Sequence, residues 1–158
     1  MDPASLRVAI ASDHAGFELK RRLVERLRER GFSVEDLGPL TPDPVDYPDF
    51  VAKVAEAVSK GEFERGIVIC GTGVGSSIVA NKFPGVYCAL CHDTYSARQA
   101  REHVDANMIA LGGRVVGPEL AFEIVETFLK ANFSGEERHR RRVGKLKEIE
   151  RRNLRVER

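Results

Sequence analysis

The sequence predicts an α/β protein: a three-layer α/β/α, Rossmann-like domain with a five-stranded parallel sheet and a C-terminal helix. Three observations predict it. Apolar runs of strand length alternate with amphipathic helical patterns five times along the chain. Most of those runs are continuously apolar, as in strands covered on both faces, rather than alternating. The length, 158 residues, suits one domain able to bury a core, and 42% hydrophobic with 31% charged residues is ordinary for a globular protein. We therefore expect a single domain over 1–158, with its core at about 7–133 and a basic helical tail at about 136–158.

The first strand is "LRVAIAS" (Leu6 to Ser12), a short apolar run with β-branched members. In the following "GFELKRRLVERLRERG", Phe17, Leu19, Leu23, Val24 and Leu27 recur at helical spacing and Gly31 supplies a stop. "FSVEDLG" alternates, so it reads as a less buried strand. "PLTPDPVDYPD" holds four prolines and reads as a loop. A helix then runs from about Tyr47 to Lys60, with Phe50, Val51, Val54, Ala55 and Val58 inward.

"RGIVIC" is the third strand, and a glycine cluster follows it directly. "SSIVANKF" reads as a short helix and "GVYCALC" as the fourth strand. "DTYSARQAREH" is helical, with Asp93 or Thr94 as its cap. "NMIALGG" is the fifth strand. "PELAFEIVETFLKANF" is an amphipathic helix with Pro118 in its first turn, where a missing N–H costs nothing. The last helix, from about Glu136, carries Val143, Leu146 and Ile149 on one side.

Bulk properties exclude several classes. A net charge of +1 gives no whole-protein pull toward nucleic acid or membrane. No apolar run approaches the roughly 20 residues of a membrane span, and "MDPASLRVAIAS" does not read as a signal peptide. Three cysteines suggest no disulfide framework. The expected setting is cytoplasmic and reducing. The tail beginning "EERHRRRVGKLKEIERR" is basic but lacks interleaved aromatics, so it reads as a solvated helix, with RHRRR the part suited to an anion.

In parallel sheets, ligands gather beyond the carboxyl ends of the strands. That rule selects Asp13 and His14 after strand one, Cys70 and the glycines after strand three, Cys91, His92 and Asp93 after strand four, and Arg114 after strand five. His103 falls in the turn before strand five, at the opposite end. Serving the same rim would require a route such as a neighbouring subunit.

The cluster "CGTGVGSS" lacks the lysine of a nucleotide-phosphate loop, and Ser76 stands where a dinucleotide fingerprint needs its third glycine. One reading is a tight turn that simply requires glycine. The other is that Gly71, Thr72, Gly73, Val74 and Gly75 turn backbone N–H groups into a hollow that receives an anion, including one that develops during reaction. A free thiol has a pKa of about 8.5, and a helix N-terminus favours its anion. Cys70 is thus a candidate nucleophile, metal ligand or base. Cys88 and Cys91 form a C-x-x-C, but their odd spacing along a strand sends them to opposite faces. No second C-x-x-C exists, so this pair is not expected to hold zinc or do redox chemistry.

The motifs "ASDHAGFELK", "DYPDFVAKVAEAV", "ICGTGVGSSIVANK" and "NMIALGGRVVG", with "RHRRRV" near the end, resemble in order the family of ribose-5-phosphate isomerase B and galactose-6-phosphate isomerase. The resemblance spans roughly residues 7 to 150. It implies cofactor-free aldose–ketose isomerisation of a phosphorylated sugar, ribose 5-phosphate to ribulose 5-phosphate, through ring opening and a cis-enediolate. Allose 6-phosphate, galactose 6-phosphate or plain sugar-phosphate binding are the alternatives. It implies that Cys70 is the base and His103 opens the ring. It implies that Asp13, His14, the loop from Gly71 to Gly75, Arg138 and Arg142 bind the substrate, with Thr72 offering a hydroxyl. The spacing of Arg138 and Arg142 sets both on one helix face, suited to a phosphate. The family forms dimers, sometimes paired into tetramers, with sites shared across the interface. One departure is Val104, where the family commonly has asparagine.

Overall fold

The computed structural model describes residues 2–154; Met1 and 155–158, the end of the expected tail, lie outside the described residues. The strands are β1 (Arg7–Ser12), β2 (Ser33–Asp36), β3 (Arg65–Cys70), β4 (Cys88–Leu90) and β5 (Met108–Gly112). The helices are α1 (Phe17–Glu29), α2 (Tyr47–Ser59), α3 (Val74–Ala80), α4 (Thr94–Glu102), α5 (Pro118–Lys130) and α6 (Glu137–Asn153). All pairings are parallel, in the order β2-β1-β3-β5-β4. This is the expected α/β architecture.

The apolar runs explain the layers. In β1, Val8 and Ile10 face one way and pack with α1, α4 and α5, around Leu23, Ala97 and Phe128. Ala9 and Ala11 face the other way, onto α2 and α3 through Val51, Val54 and Ala80. The small alanines let that second layer approach closely. Burying each large apolar side chain contributes about 1.5–3 kcal/mol. The alternating strand, β2, is an edge strand, which explains its polar face.

Two boundaries differ from expectation, each for a local reason. α3 begins at Val74 rather than Ser76, because Gly73 takes a left-handed conformation (φ 80°) and caps the helix directly after β3. β4 is confined to Cys88–Leu90, and the Asn81 side chain brackets the backbone of Cys88, accepting its N–H at 2.8 Å and donating to its carbonyl at 3.0 Å. In α6, His139 and Val143 are buried, whereas Leu146 and Ile149, on the side of the helix that carries Val143, are 36% and 55% exposed. Cys88 and Cys91 do belong to opposite faces of the sheet. Burial pushes their thiols up to about 12 and about 11. Among the described residues, no helix is long and apolar enough to cross a membrane.

Candidate active site

Cys70 is the last residue of β3 and is 5% exposed. The chain turns sharply after it, and the Gly73 N–H comes back to donate to Sγ at 3.2 Å. The turn needs glycine at 73 for two reasons. Its φ is positive, and a Cβ there would lie 2.6 Å from a Leu90 methyl and 2.8 Å from the Leu111 carbonyl carbon. The Val74 N–H donates to Thr72 Oγ1 at 3.3 Å, so the threonine hydroxyl caps the loop internally. Gly73 and Val74 have therefore committed their donors locally. The N–H groups of Gly71, Thr72 and Gly75 have no hydrogen-bond partner among the described residues, leaving three free donors in the loop that follows Cys70.

The neighbouring strand end supplies the next wall. Asp13 is 7% exposed, and its Oδ1 accepts the Gly16 N–H at 3.0 Å, which folds the turn leading into α1. The Asp13 N–H donates to Ile69 O at 3.1 Å, tying this turn to β3 one residue before Cys70. His14, next in the chain, is exposed, and its Nδ1 accepts the Val45 N–H at 3.2 Å. With Nδ1 an acceptor, the ring proton sits on Nε2 and points a donor outward.

Three further residues join this rim. Tyr47, the first residue of α2, lies against Gly75 so closely that a Cβ there would sit 2.6 Å from its ring. Arg114 brings Nη1 to 3.4 Å from where a side chain on Gly71 would begin, and its backbone N–H donates to Gly71 O at 3.0 Å. His92 Nε2 accepts the Gly112 N–H at 2.9 Å, covering the end of β5. Strand order had put His92 and Arg114 at this end. Tyr47 was legible only as the start of a helix, and nothing in its spacing points to the glycine loop.

His103 is elsewhere. α4 leaves the rim after Asp93, whose Oδ1 caps it by accepting the Ser96 N–H at 2.6 Å, and runs back to end at His103. Buried Arg101 fixes that end, donating to Asp105 Oδ1 at 2.9 Å and to Ala106 O at 2.7 Å, while Asp105 turns the chain with φ 57°. The His103 ring stacks on His139, with centroids 4.0 Å apart and planes 27° from parallel. His139 is 3% exposed, and its Nδ1 is 2.6 Å from Ser134 Oγ. Burial lowers the His139 pKa, with the neighbouring charges of His103 and Arg138 adding to the effect. Arg138 and Arg142 project from the same first turns of α6, and Arg138 Nη1 pairs with Glu136 at 2.5 Å.

The expected residues thus form two groups. Asp13, His14, Cys70 and Gly71 to Gly75 share the carboxyl rim of the sheet. His103, Arg138 and Arg142 share the amino end, where β5 begins. Within one chain the fold does not unite them. Val104 lies beside His103 in an apolar groove with Ala100, Leu146 and Ile149.

Known proteins share this sequence pattern and fold. A family described as Ribose/Galactose Isomerase matches residues 8–146. Ribose-5-phosphate isomerase B of Escherichia coli is 47% identical over 146 residues, 92% of this chain and 97% of that protein. The structure of ribose-5-phosphate isomerase B from Clostridium thermocellum is similar with a TM-score of 0.89 at 56% identity, covering 93% of this chain and 99% of that one. The Mycoplasma genitalium enzyme of the same name, solved with bound ribulose 5-phosphate, gives a TM-score of 0.88 at 45% identity, covering 93% and 97%.

Proposed function

The chain belongs to the ribose/galactose isomerase family, and from that premise we propose that it interconverts ribose 5-phosphate and ribulose 5-phosphate with Cys70 as the base. One observation carries the assignment of the base: the Cys70 sulfur accepts the Gly73 N–H at the carboxyl rim of the sheet, at the head of a loop with three backbone donors unpartnered among the described residues.

The chemistry follows from that geometry. The sugar ring must open first, and His103 moves a proton between the ring oxygen and O1. The Cys70 thiolate then takes the proton from C2. The electron pair left behind forms the C1=C2 bond of a cis-enediolate, and negative charge develops on oxygen. The N–H groups of Gly71, Thr72 and Gly75 meet that charge; such a donor typically contributes about 3 kcal/mol to the barrier. The sulfur returns its proton to C1, and the O2 hydroxyl proton passes to O1. One hydrogen has moved between carbons and one between oxygens, with no external oxidant or reductant.

His14 presents its Nε2–H, and Arg138 and Arg142 their guanidinium groups, to the phosphate. Asp13 lines the sugar. Remote phosphate binding of this kind holds the reacting carbons in register. Since Cys70 and His103 lie at opposite ends of one chain, a complete site takes the rim from one copy and His103, Arg138 and Arg142 from a second. The functional unit is therefore a homodimer or a pair of dimers. The exposed Val104, Leu146 and Ile149 in the groove beside His103 supply an apolar surface on that side.

The test is a coupled isomerase assay over ribose 5-phosphate, allose 6-phosphate and galactose 6-phosphate. The highest kcat/KM is expected for ribose 5-phosphate. Preference for a hexose phosphate would replace the substrate, and turnover of none of the three would remove the activity.

A further inference from the structure

Lys20 is fully buried, 1% exposed, although it carries an ammonium group. From α1 it donates to Asp36 Oδ1 at 3.0 Å and to Pro39 O at 2.5 Å, and it lies 5.1 Å from the centre of the Phe17 ring. Asp36 Oδ1 also accepts the Gly38 N–H at 2.8 Å, and Gly38 O accepts the Ser12 N–H at 3.1 Å. The turn after β2 is thereby tied across the end of β1, directly before Asp13 and His14.

From Pro39 the chain doubles back to Val45, whose N–H reaches His14 Nδ1 at 3.2 Å. Prolines 39, 42 and 44 fix φ at three positions of this segment, which narrows the freedom of the chain between Pro39 and Val45. A buried ammonium tolerates little loosening of its partners, because losing them leaves an uncompensated charge out of water. Lys20 therefore grips both walls around His14: α1 on one side and the 36–46 loop on the other.

We infer that Lys20 is a positioning residue for phosphate binding: it locks the 36–46 loop, and the loop, through the Val45 N–H, holds His14 in the tautomer that offers Nε2–H to the phosphate. This rests on the reading of His14 as a phosphate ligand, and the experiment separates the two.

Imidazole nitrogen signals of histidine-labelled protein are recorded for the wild type, for Lys20→Met and for His14→Asn, the last assigning the His14 signals. KM and kcat for ribose 5-phosphate are measured on the same samples. The expected result is one dominant His14 tautomer in the wild type and a mixture in Lys20→Met, with KM raised about tenfold and kcat little changed. A purely structural lysine would lower the melting temperature and leave the His14 tautomer unmoved; that outcome overturns the inference. So does a KM raised in His14→Asn but not in Lys20→Met. An unchanged KM in His14→Asn instead removes His14 as a phosphate ligand, while the tautomer readout still decides the role of Lys20. Should Lys20→Met not fold, Asp36→Asn is read in the same way, since it keeps an acceptor for Gly38 but removes the charge that holds the ammonium.

Discussion

The Gly73 N–H donates to the Cys70 sulfur at 3.2 Å, and Gly73 can do so only because its backbone is left-handed. One residue thus caps α3 and donates to the thiol. Gly73→Ala meets the Leu111 backbone as well as an unfavourable φ. The expected cost is about 2–4 kcal/mol of stability, read by denaturant unfolding, with a parallel fall in kcat. A variant of wild-type stability would mean the loop has room that the geometry denies.

Cys70→Ala removes the proposed base and leaves the phosphate ligands in place. The expected loss in kcat is about a thousandfold, while calorimetry still detects sugar-phosphate binding. Near-normal turnover in the coupled assay would take the thiol out of the mechanism.

Cys70→Ala and His103→Ala chains, each inactive alone, should regain activity when unfolded and refolded together. In a shared-site dimer, a hybrid holds one site with both wild-type residues, so random pairing restores about a quarter of full activity. No recovery would place both residues of a site on one chain.

Arg138 is more than half exposed and pairs with Glu136, a surface contact of small structural value. Arg138→Ala should leave the melting temperature nearly unchanged. Loss of a charge-assisted phosphate contact raises KM about tenfold or more. Equal KM values would make this turn of α6 a solvated surface.

His139 sets an acid limit. Its folded-state pKa lies below the ordinary value, through burial first and the nearby His103 and Arg138 second. The unfolded chain, with histidine near 6.5, takes up the proton more readily, so stability is complete above about pH 6.5 and falls as pH drops toward the folded-state pKa. His139→Phe, which keeps a stacked ring but cannot titrate, should flatten the melting-temperature profile between about pH 7 and pH 5. Identical slopes would remove His139 as the linked group.

The fold was legible because its strands are unbroken apolar runs and its helices carry clear stripes. Ile67, Val68 and Ile69 admit few readings other than a strand covered on both sides. Boundaries were weaker where one residue's φ decides, as at Gly73. Leu146 and Ile149 kept the helical spacing of a core face, yet pattern alone cannot tell a core from a surface left open in one chain. At the site, strand-end logic found His14, Cys70 and Arg114. It could not find Tyr47, which meets Gly75 only through folding, or the Lys20 clamp, since a lysine in a charged helix reads as solvated until its partners on another element are seen.

Every strand of this sheet points the same way, so its two ends are far apart. Six residues of β3 span about 20 Å at roughly 3.3 Å each, beyond the reach of any side chain. No hinge or rotamer change within a lone chain closes that gap. If the proposed shared site is the working one, a small molecule that wedged into the apolar groove beside His103 and kept two copies apart would abolish turnover without looking anything like a sugar.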